Sequence, residues 1–158
     1  MARFGRQQPN ESYSWSNAAK VQEQWGGPLI IKGVLSVADV QGAGSLGADA
    51  VVVSNHGGRG LDGATAALDG LPSVVQAAGN MVVLIDGGFR RGSVIVKALA
   101  LRARCVLLGR ATLYGAAACG SAGVASAISL LRSETDRVMG LLGYASIADI
   151  TAEPVERA

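Results

Sequence analysis

The residues able to do chemistry gather in one short segment, Ser54-Asn55-His56-Gly57-Gly58-Arg59, directly behind the apolar run Ala50-Val51-Val52-Val53. His56 is the only histidine of the chain. Imidazole has an ordinary pKa of about 6.5, so it accepts a proton near neutrality with little tuning. Arg59 carries a planar guanidinium that grips a carboxylate through two parallel hydrogen bonds. A base and a carboxylate clamp on a glycine-freed loop suit a small organic acid. The bland alternatives are a histidine that caps a loop and a surface arginine paired with Asp62.

Two further turns suit an anion. Asp86-Gly87-Gly88-Phe89-Arg90-Arg91-Gly92-Ser93 leads from an apolar run into a helix start, and Gly109-Arg110 follows the next run. Backbone N–H groups at helix N-termini bind phosphate, and arginine adds charge. The spacing is neither a Walker loop nor a dinucleotide fingerprint. Lys32 closes another apolar run, where an ammonium can stabilise negative charge developing on a bound cofactor. Trp15, Trp25 and Tyr114 read as packing residues, and Asp62 and Asp69 as loop and cap residues.

Four apolar runs must position these groups: residues 28–32, 50–54, 81–86 and 104–109. None alternates cleanly, so each is expected to be buried on both faces, as strands of a parallel sheet are. Cys105, inside the fourth run, is expected to be a buried thiol. Helices are expected over residues 15–25 behind Ser14, 37–46 from Ser36 to Gly47, and 65–78 ending at Gly79-Asn80. Another runs over 94–101, opened by Ser93, and the longest over roughly 124–142, with Val124, Ile128, Leu131, Val138 and Leu142 near one face. The order is one helix and then four strand–helix units. This predicts an α/β fold with right-handed crossovers. Lys32, Ser54 with His56, Asp86, and Gly109 with Arg110 then fall at the C-terminal strand ends, the edge where such folds bind ligands.

A length of 158 residues suits one domain with one sizeable core. Net charge is only +2, so nothing in it argues for a nucleic-acid or anionic-membrane partner. Cys105 and Cys119 lack metal-ligand spacing, so no metal site is expected, and free thiols suit a reducing, cytoplasmic compartment. The polar N-terminus does not read as a signal peptide, and no apolar run reads as a membrane-spanning segment. Residues 1–12 read as a flexible arm, 13–150 as the domain and 151–158 as a tail.

With those motifs in place, residues 12–150 resemble the C-terminal half of the FMN-dependent α-hydroxy acid dehydrogenase and oxidase family. That family includes flavin-type lactate dehydrogenases, glycolate oxidase and mandelate dehydrogenase. The resemblance rests on SNHGGR…LD at Ser54 to Asp62 and LIIKG at Leu29 to Gly33. It also rests on LIDGGFRRGSVIVKALAL at Leu84 to Leu101 and LLGRATLYG at Leu107 to Gly115. FRRG and GRATLYG look closest to bacterial mandelate dehydrogenase. The resemblance implies strands five to eight of a TIM (β/α)8 barrel, four parallel β-α units. It implies FMN as cofactor and oxidation of a 2-hydroxy acid of the mandelate, lactate or glycolate type to the 2-oxo acid. It casts His56 as the catalytic base and Arg59 as the holder of the substrate carboxylate. Lys32 would lie at the N1–C2=O edge of the flavin, and Ser54 would contact the flavin. Asp86, Gly87, Gly88, Phe89 and Arg90 would hold the ribityl and phosphate groups, completed by Gly109 and Arg110.

The departures are Gly60 where glutamine is usual, Thr65 for a proline, Arg102 for a glycine, and the N-terminal half-barrel, which this sequence does not contain. The expected partners are therefore a small 2-hydroxy acid and either a second copy or the complementary half-barrel. The competing expectation is a non-catalytic half-barrel that self-associates and binds FMN weakly at most. A relative of inosine monophosphate dehydrogenase fits less well, because no catalytic cysteine loop is visible.

Overall fold

The computed structural model describes residues 13–153. The expected arm over 1–12 and the end of the expected tail, 154–158, lie outside the described residues. The elements are α1 (Trp15–Trp25), β1 (Ile30–Val34), α2 (Val37–Ser45), β2 (Ala50–Val53), α3 (Ala67–Ala77), β3 (Val82–Asp86), α4 (Gly92–Ala100), β4 (Cys105–Leu107) and α5 (Arg110–Leu141). Single 3-10 turns cover His56–Gly58 and Ile147–Asp149. The helix-then-four-units order is as the sequence predicts.

Local chemistry accounts for the helix starts. Ser14 and Asn17 form a capping box at α1, and the Ser36 hydroxyl accepts the Asp39 N–H at 3.1 Å. α4 is different: it starts at Gly92, and Ser93 does not cap it. The carboxylate of Glu134, from α5, accepts the Gly92 N–H at 2.8 Å instead. A side chain at residue 92 would collide with the backbone of Glu134 and Thr135, so the glycine sets how closely α4 and α5 pack.

The strands form one parallel sheet in the order β1-β2-β3-β4. Spatial order equals chain order, so the crossover helices lie on one face. There Val51, Val53, Val83 and Ile85 pack with Val40 and Ala43 of α2, Leu71 and Val74 of α3, and Ala98 of α4. The other face carries no helix among the described residues. Burial on both faces, expected for every strand, holds for β2 alone. Ile30 of β1 and Val82 of β3 are 55% and 45% exposed. Cys105 is exposed rather than buried, because it sits on the edge strand β4.

β1 continues past Lys32 to Val34, with a bulge at Gly33. Lys32 pairs with Val52 and Val34 with Val53, so the extra residue has no partner. Strand residues two apart share a face unless a bulge intervenes. Here Lys32 reaches the ligand edge while Val34, 2% exposed, enters the helix-side core. Gly33 has φ +98°, a backbone setting that favours glycine.

α5 begins fourteen residues before the expected helix over 124–142. Non-helical Cys119 and Gly120 break it. In a straight helix Gly115 and Gly123 would be about 12 Å apart along the axis. Instead a side chain on either would collide with the backbone of the other, so the two legs fold back on each other. By length and composition alone α5 is apolar enough to cross a membrane, contrary to the sequence reading. Its uncharged stretch, residues 111–131, contains the fold-back and does not form a straight span.

Candidate functional site

Three strand ends meet in one polar cluster. Lys32 Nζ of β1 lies 2.7 Å from Asp86 Oδ2 of β3. Ser54, at the end of β2, sits between them and is 1% exposed. Its hydroxyl accepts from Lys32 Nζ at 3.2 Å and from the His56 N–H at 3.0 Å, and donates to Asp86 Oδ2 at 3.1 Å. A hydroxyl has one proton and two lone pairs, so Ser54 is fully committed. An ammonium has three N–H groups, and two are used here.

The next loop is held by its own atoms. His56, Gly57 and Gly58 all have positive φ, at +56°, +69° and +74°. The Gly57 N–H donates to Asn55 Oδ1 at 3.0 Å, Gly58 N–H to Asn55 O at 3.1 Å, and Arg59 N–H to His56 O at 3.4 Å. Every N–H from residue 56 to 59 therefore has an internal partner. What the loop offers to a ligand is the exposed side chains of His56 and Arg59. Arg59 makes no ion pair with Asp62.

These groups face a cavity of about 280 Å³ lined by Lys32, His56, Arg59, Asp86, Arg90 and Arg110, with glycines 57, 87, 88 and 109 in its wall. Ser54 is not in that wall; it lies beneath it as a support. Phe89 turns its ring into the core at 4% exposure and anchors the glycine loop. Arg90 lies over the ring of Tyr114, 5.8 Å from its centre, so Tyr114, 58% exposed, orients an arginine rather than filling the core. Arg110 reaches back to Gly57, where a Cβ would lie 3.1 Å from Nη2. Arg91 turns away: its Nε donates to Glu134 Oε2 at 3.1 Å. The Gly92 hydrogen bond, and then Arg91, hold the Glu134 carboxyl below the usual carboxylate range.

Sequence reasoning placed its candidate residues at one sheet edge, and the structure gathers all but Ser54 around one cavity. It missed Asn55, Tyr114 and Glu134. Only for Asn55 was a local signal present, since asparagine two residues before a glycine commonly closes such a turn. No group of three His, Cys, Asp or Glu side chains suited to a metal occurs among the described residues.

The profile of the FMN-dependent dehydrogenase family matches residues 1–157. The L-lactate oxidase of Nostoc sp. is 48% identical over 145 residues, which cover 91% of this chain and 40% of that protein. Pre-mycofactocin synthase of Mycobacterium tuberculosis H37Rv is 45% identical over 151 residues, covering 95% of this chain and 38% of that protein. A soluble mutant of the membrane-associated (S)-mandelate dehydrogenase from Pseudomonas putida superposes with a TM-score of 0.90 at 42% identity. That match covers 100% of this chain and 44% of the other. A parallel sheet with its polar C-terminal strand ends around one cavity defines the ligand edge of an α/β fold, and the sequence match says which one. The chain belongs to the FMN-dependent dehydrogenase family. It spans about two-fifths of the length of these curated relatives, and its fold is half of their barrel.

The cavity fits FMN by its own chemistry. Gly88 and Gly109 line the cavity, and a Cβ added at either would meet nothing within 4 Å, so the backbone there is uncovered. The N-terminus of α5 has no side-chain cap, and Arg90 and Arg110 stand beside it. That is a setting for a dianionic phosphate. Lys32 stands at the opposite, strand-end wall with one N–H unused.

Proposed function

We propose that this chain contributes the cofactor and catalytic half of an enzyme that oxidises a 2-hydroxy acid to the 2-oxo acid. One observation carries the reading: Lys32 of β1, His56 and Arg59 of the loop after β2, Arg90 of the loop after β3 and Arg110 at the start of α5 converge on one cavity. Arg59 would hold the substrate carboxylate and thereby set the α-hydroxyl toward His56. His56 accepts one proton as the C–O bond gains double-bond character. FMN, when bound, would supply the two-electron acceptor for the hydrogen and electron pair of the α-carbon. Lys32 would offer positive charge to a bound flavin, and Asp86 with Ser54 keeps that ammonium in place. Gly87, Gly88 and Arg90 of one loop and Gly109 and Arg110 of the next would hold the phosphate, with Phe89 anchoring the first of these loops. Relatives named for lactate and mandelate put small 2-hydroxy acids first among substrates. The exposed thiols of Cys105 and Cys119, both free, support a reducing, cytoplasmic setting.

FMN titration followed by flavin absorbance tests this, with L-mandelate or L-lactate then added anaerobically to the saturated sample. Saturation near one FMN per chain and bleaching by either acid are expected. Saturable binding with no bleaching by any 2-hydroxy acid, even with the complementary half-barrel supplied, rejects the catalytic reading.

A second reading has its own observation. β1 and β4 are unpaired edges, and the sheet face bearing Ile30, Val82 and Cys105 is open. Exposed edges and apolar faces drive association. The chain by itself is then a half-barrel that pairs with a second copy and at most binds FMN weakly. Sedimentation of the FMN-titrated sample separates the two readings. A stable monomer rejects this one.

A further inference from the structure

We propose that Asn55 is a positioning residue that fixes the backbone of His56 and ties it to the loop of residues 86–90. The inference rests on the reading of His56 as a base beside an FMN site.

His56 has φ +56°, a left-handed setting that costs a residue with a Cβ about 1–2 kcal/mol. Such a backbone persists only when its surroundings impose it. Two side chains do so here. Ser54 takes the His56 N–H from below at 3.0 Å, and Asn55 Oδ1 takes the Gly57 N–H at 3.0 Å. With the Asn55 backbone oxygen also receiving the Gly58 N–H at 3.1 Å, one residue anchors two consecutive amides after His56.

The same Asn55 Oδ1 faces the other loop. It lies 3.4 Å from where a Cβ at Gly87 would stand. Gly87 has φ +123° and lines the cavity. The Asn55 side chain, half-buried, is therefore wedged between the loop that carries His56 and the loop that would carry a phosphate ester. A shift of residues 86–90 on ligand binding presses on Asn55 and, through Gly57, on the His56 backbone. Asn55 lies outside the cavity wall, so the role assigned to it runs through His56 and Gly57 rather than through direct contact.

The single histidine makes the test direct, because the chain gives one imidazole Cε1–H resonance. Three proteins are compared: the parent chain, Asn55→Ala, and Asn55→Asp, which keeps the acceptor oxygen. Without ligand, Asn55→Ala is expected to speed Gly57 amide exchange at least about fivefold, the loss of one ordinary hydrogen bond. It is also expected to move or broaden the His56 resonance, with Asn55→Asp restoring both. On addition of FMN, the parent resonance is expected to shift. The Asn55→Ala resonance is expected to shift by a different amount, because only the direct effect of the ligand beside His56 remains, while its FMN affinity stays within about threefold. Unchanged Gly57 exchange and an unchanged His56 resonance in Asn55→Ala overturn the positioning role. An equal FMN response in Asn55→Ala and parent overturns the coupling. If the parent itself does not bind FMN, the cofactor reading fails, and the ligand-free comparison still decides whether Asn55 holds His56.

Discussion

Asp86 Oδ2 stands 2.7 Å from Lys32 Nζ although their strands are not neighbours: the two side chains meet over the end of β2, where the buried hydroxyl of Ser54 bonds to both and closes a triangle. The ion pair thus spans β2 and fixes three strand ends at once. The Lys32 side chain is 44% exposed, so the charge attraction alone contributes little to stability in water. The structural weight falls on Ser54, whose hydroxyl has no solvent to replace a lost partner.

Ser54→Ala is therefore expected to destabilise the chain by about 1–3 kcal/mol, since it strands the His56 N–H and one Asp86 contact. The check is the urea midpoint at constant slope. A shift below about 0.5 kcal/mol would show that the cluster rearranges around the missing hydroxyl. FMN affinity is expected to fall as well, because Lys32 loses one of its two anchors.

The Glu134 carboxyl is held below its usual range by the Gly92 N–H first and Arg91 second. A group whose folded pKa is depressed adds stability above its unfolded pKa, about 4.5 for this carboxyl, and loses it as pH falls through the folded value. Stability is expected to drop on acidification below that region. Glu134→Gln should show a smaller drop over the same range, and a lower midpoint at pH 7. Parallel denaturation curves at pH 7 and pH 3 for both proteins measure it. Identical pH dependence in the two would remove Glu134 as the cause.

The Glu134 contact also marks where sequence reading stops. Strands, the caps of α1 and α2 and the ligand edge are legible because they follow from residues within a few positions of one another. α1 begins behind Ser14, and β2 covers the apolar run, for that reason. Glu134 caps α4 from 42 residues away, and nothing near Ser93 announces it. The exposure of Cys105 was hidden for a related reason. An apolar run shows that a strand forms, but its place at the sheet edge depends on which neighbours exist. The bulge at Gly33 was present as a lone glycine between Lys32 and Val34, and its meaning appears only in the register with β2.

Arg102 has φ +71° at the end of α4, a position where the family resemblance expects glycine. A side chain there costs about 1–2 kcal/mol, partly offset by the greater freedom glycine gives the unfolded chain. Arg102→Gly is expected to stabilise by about 0.5–1 kcal/mol, read as a raised urea midpoint. Arg102→Ala should give none of that gain, because it keeps the Cβ. Equal gains from both would point to the charge of Arg102 beside Arg104 instead of its backbone.

Arg90 and Arg91 are adjacent in sequence and separate in function. Arg91 spends its guanidinium on Glu134 and faces the α4–α5 contact. Arg90 lines the cavity and rests over Tyr114, which keeps it extended toward the N-terminus of α5. A charge-assisted contact to phosphate is worth roughly twice a neutral hydrogen bond. Arg90→Ala is accordingly expected to weaken FMN binding about tenfold or more while leaving the urea midpoint almost unchanged. Arg91→Ala is expected to do the reverse: affinity within about threefold, but a lower midpoint and a weaker response to acid, as in Glu134→Gln. Riboflavin, which lacks the phosphate, gives the control, because its binding should be insensitive to Arg90→Ala. Equal losses of FMN affinity in the two variants would mean that Glu134 releases Arg91 when the phosphate arrives, and that both arginines close on the ligand.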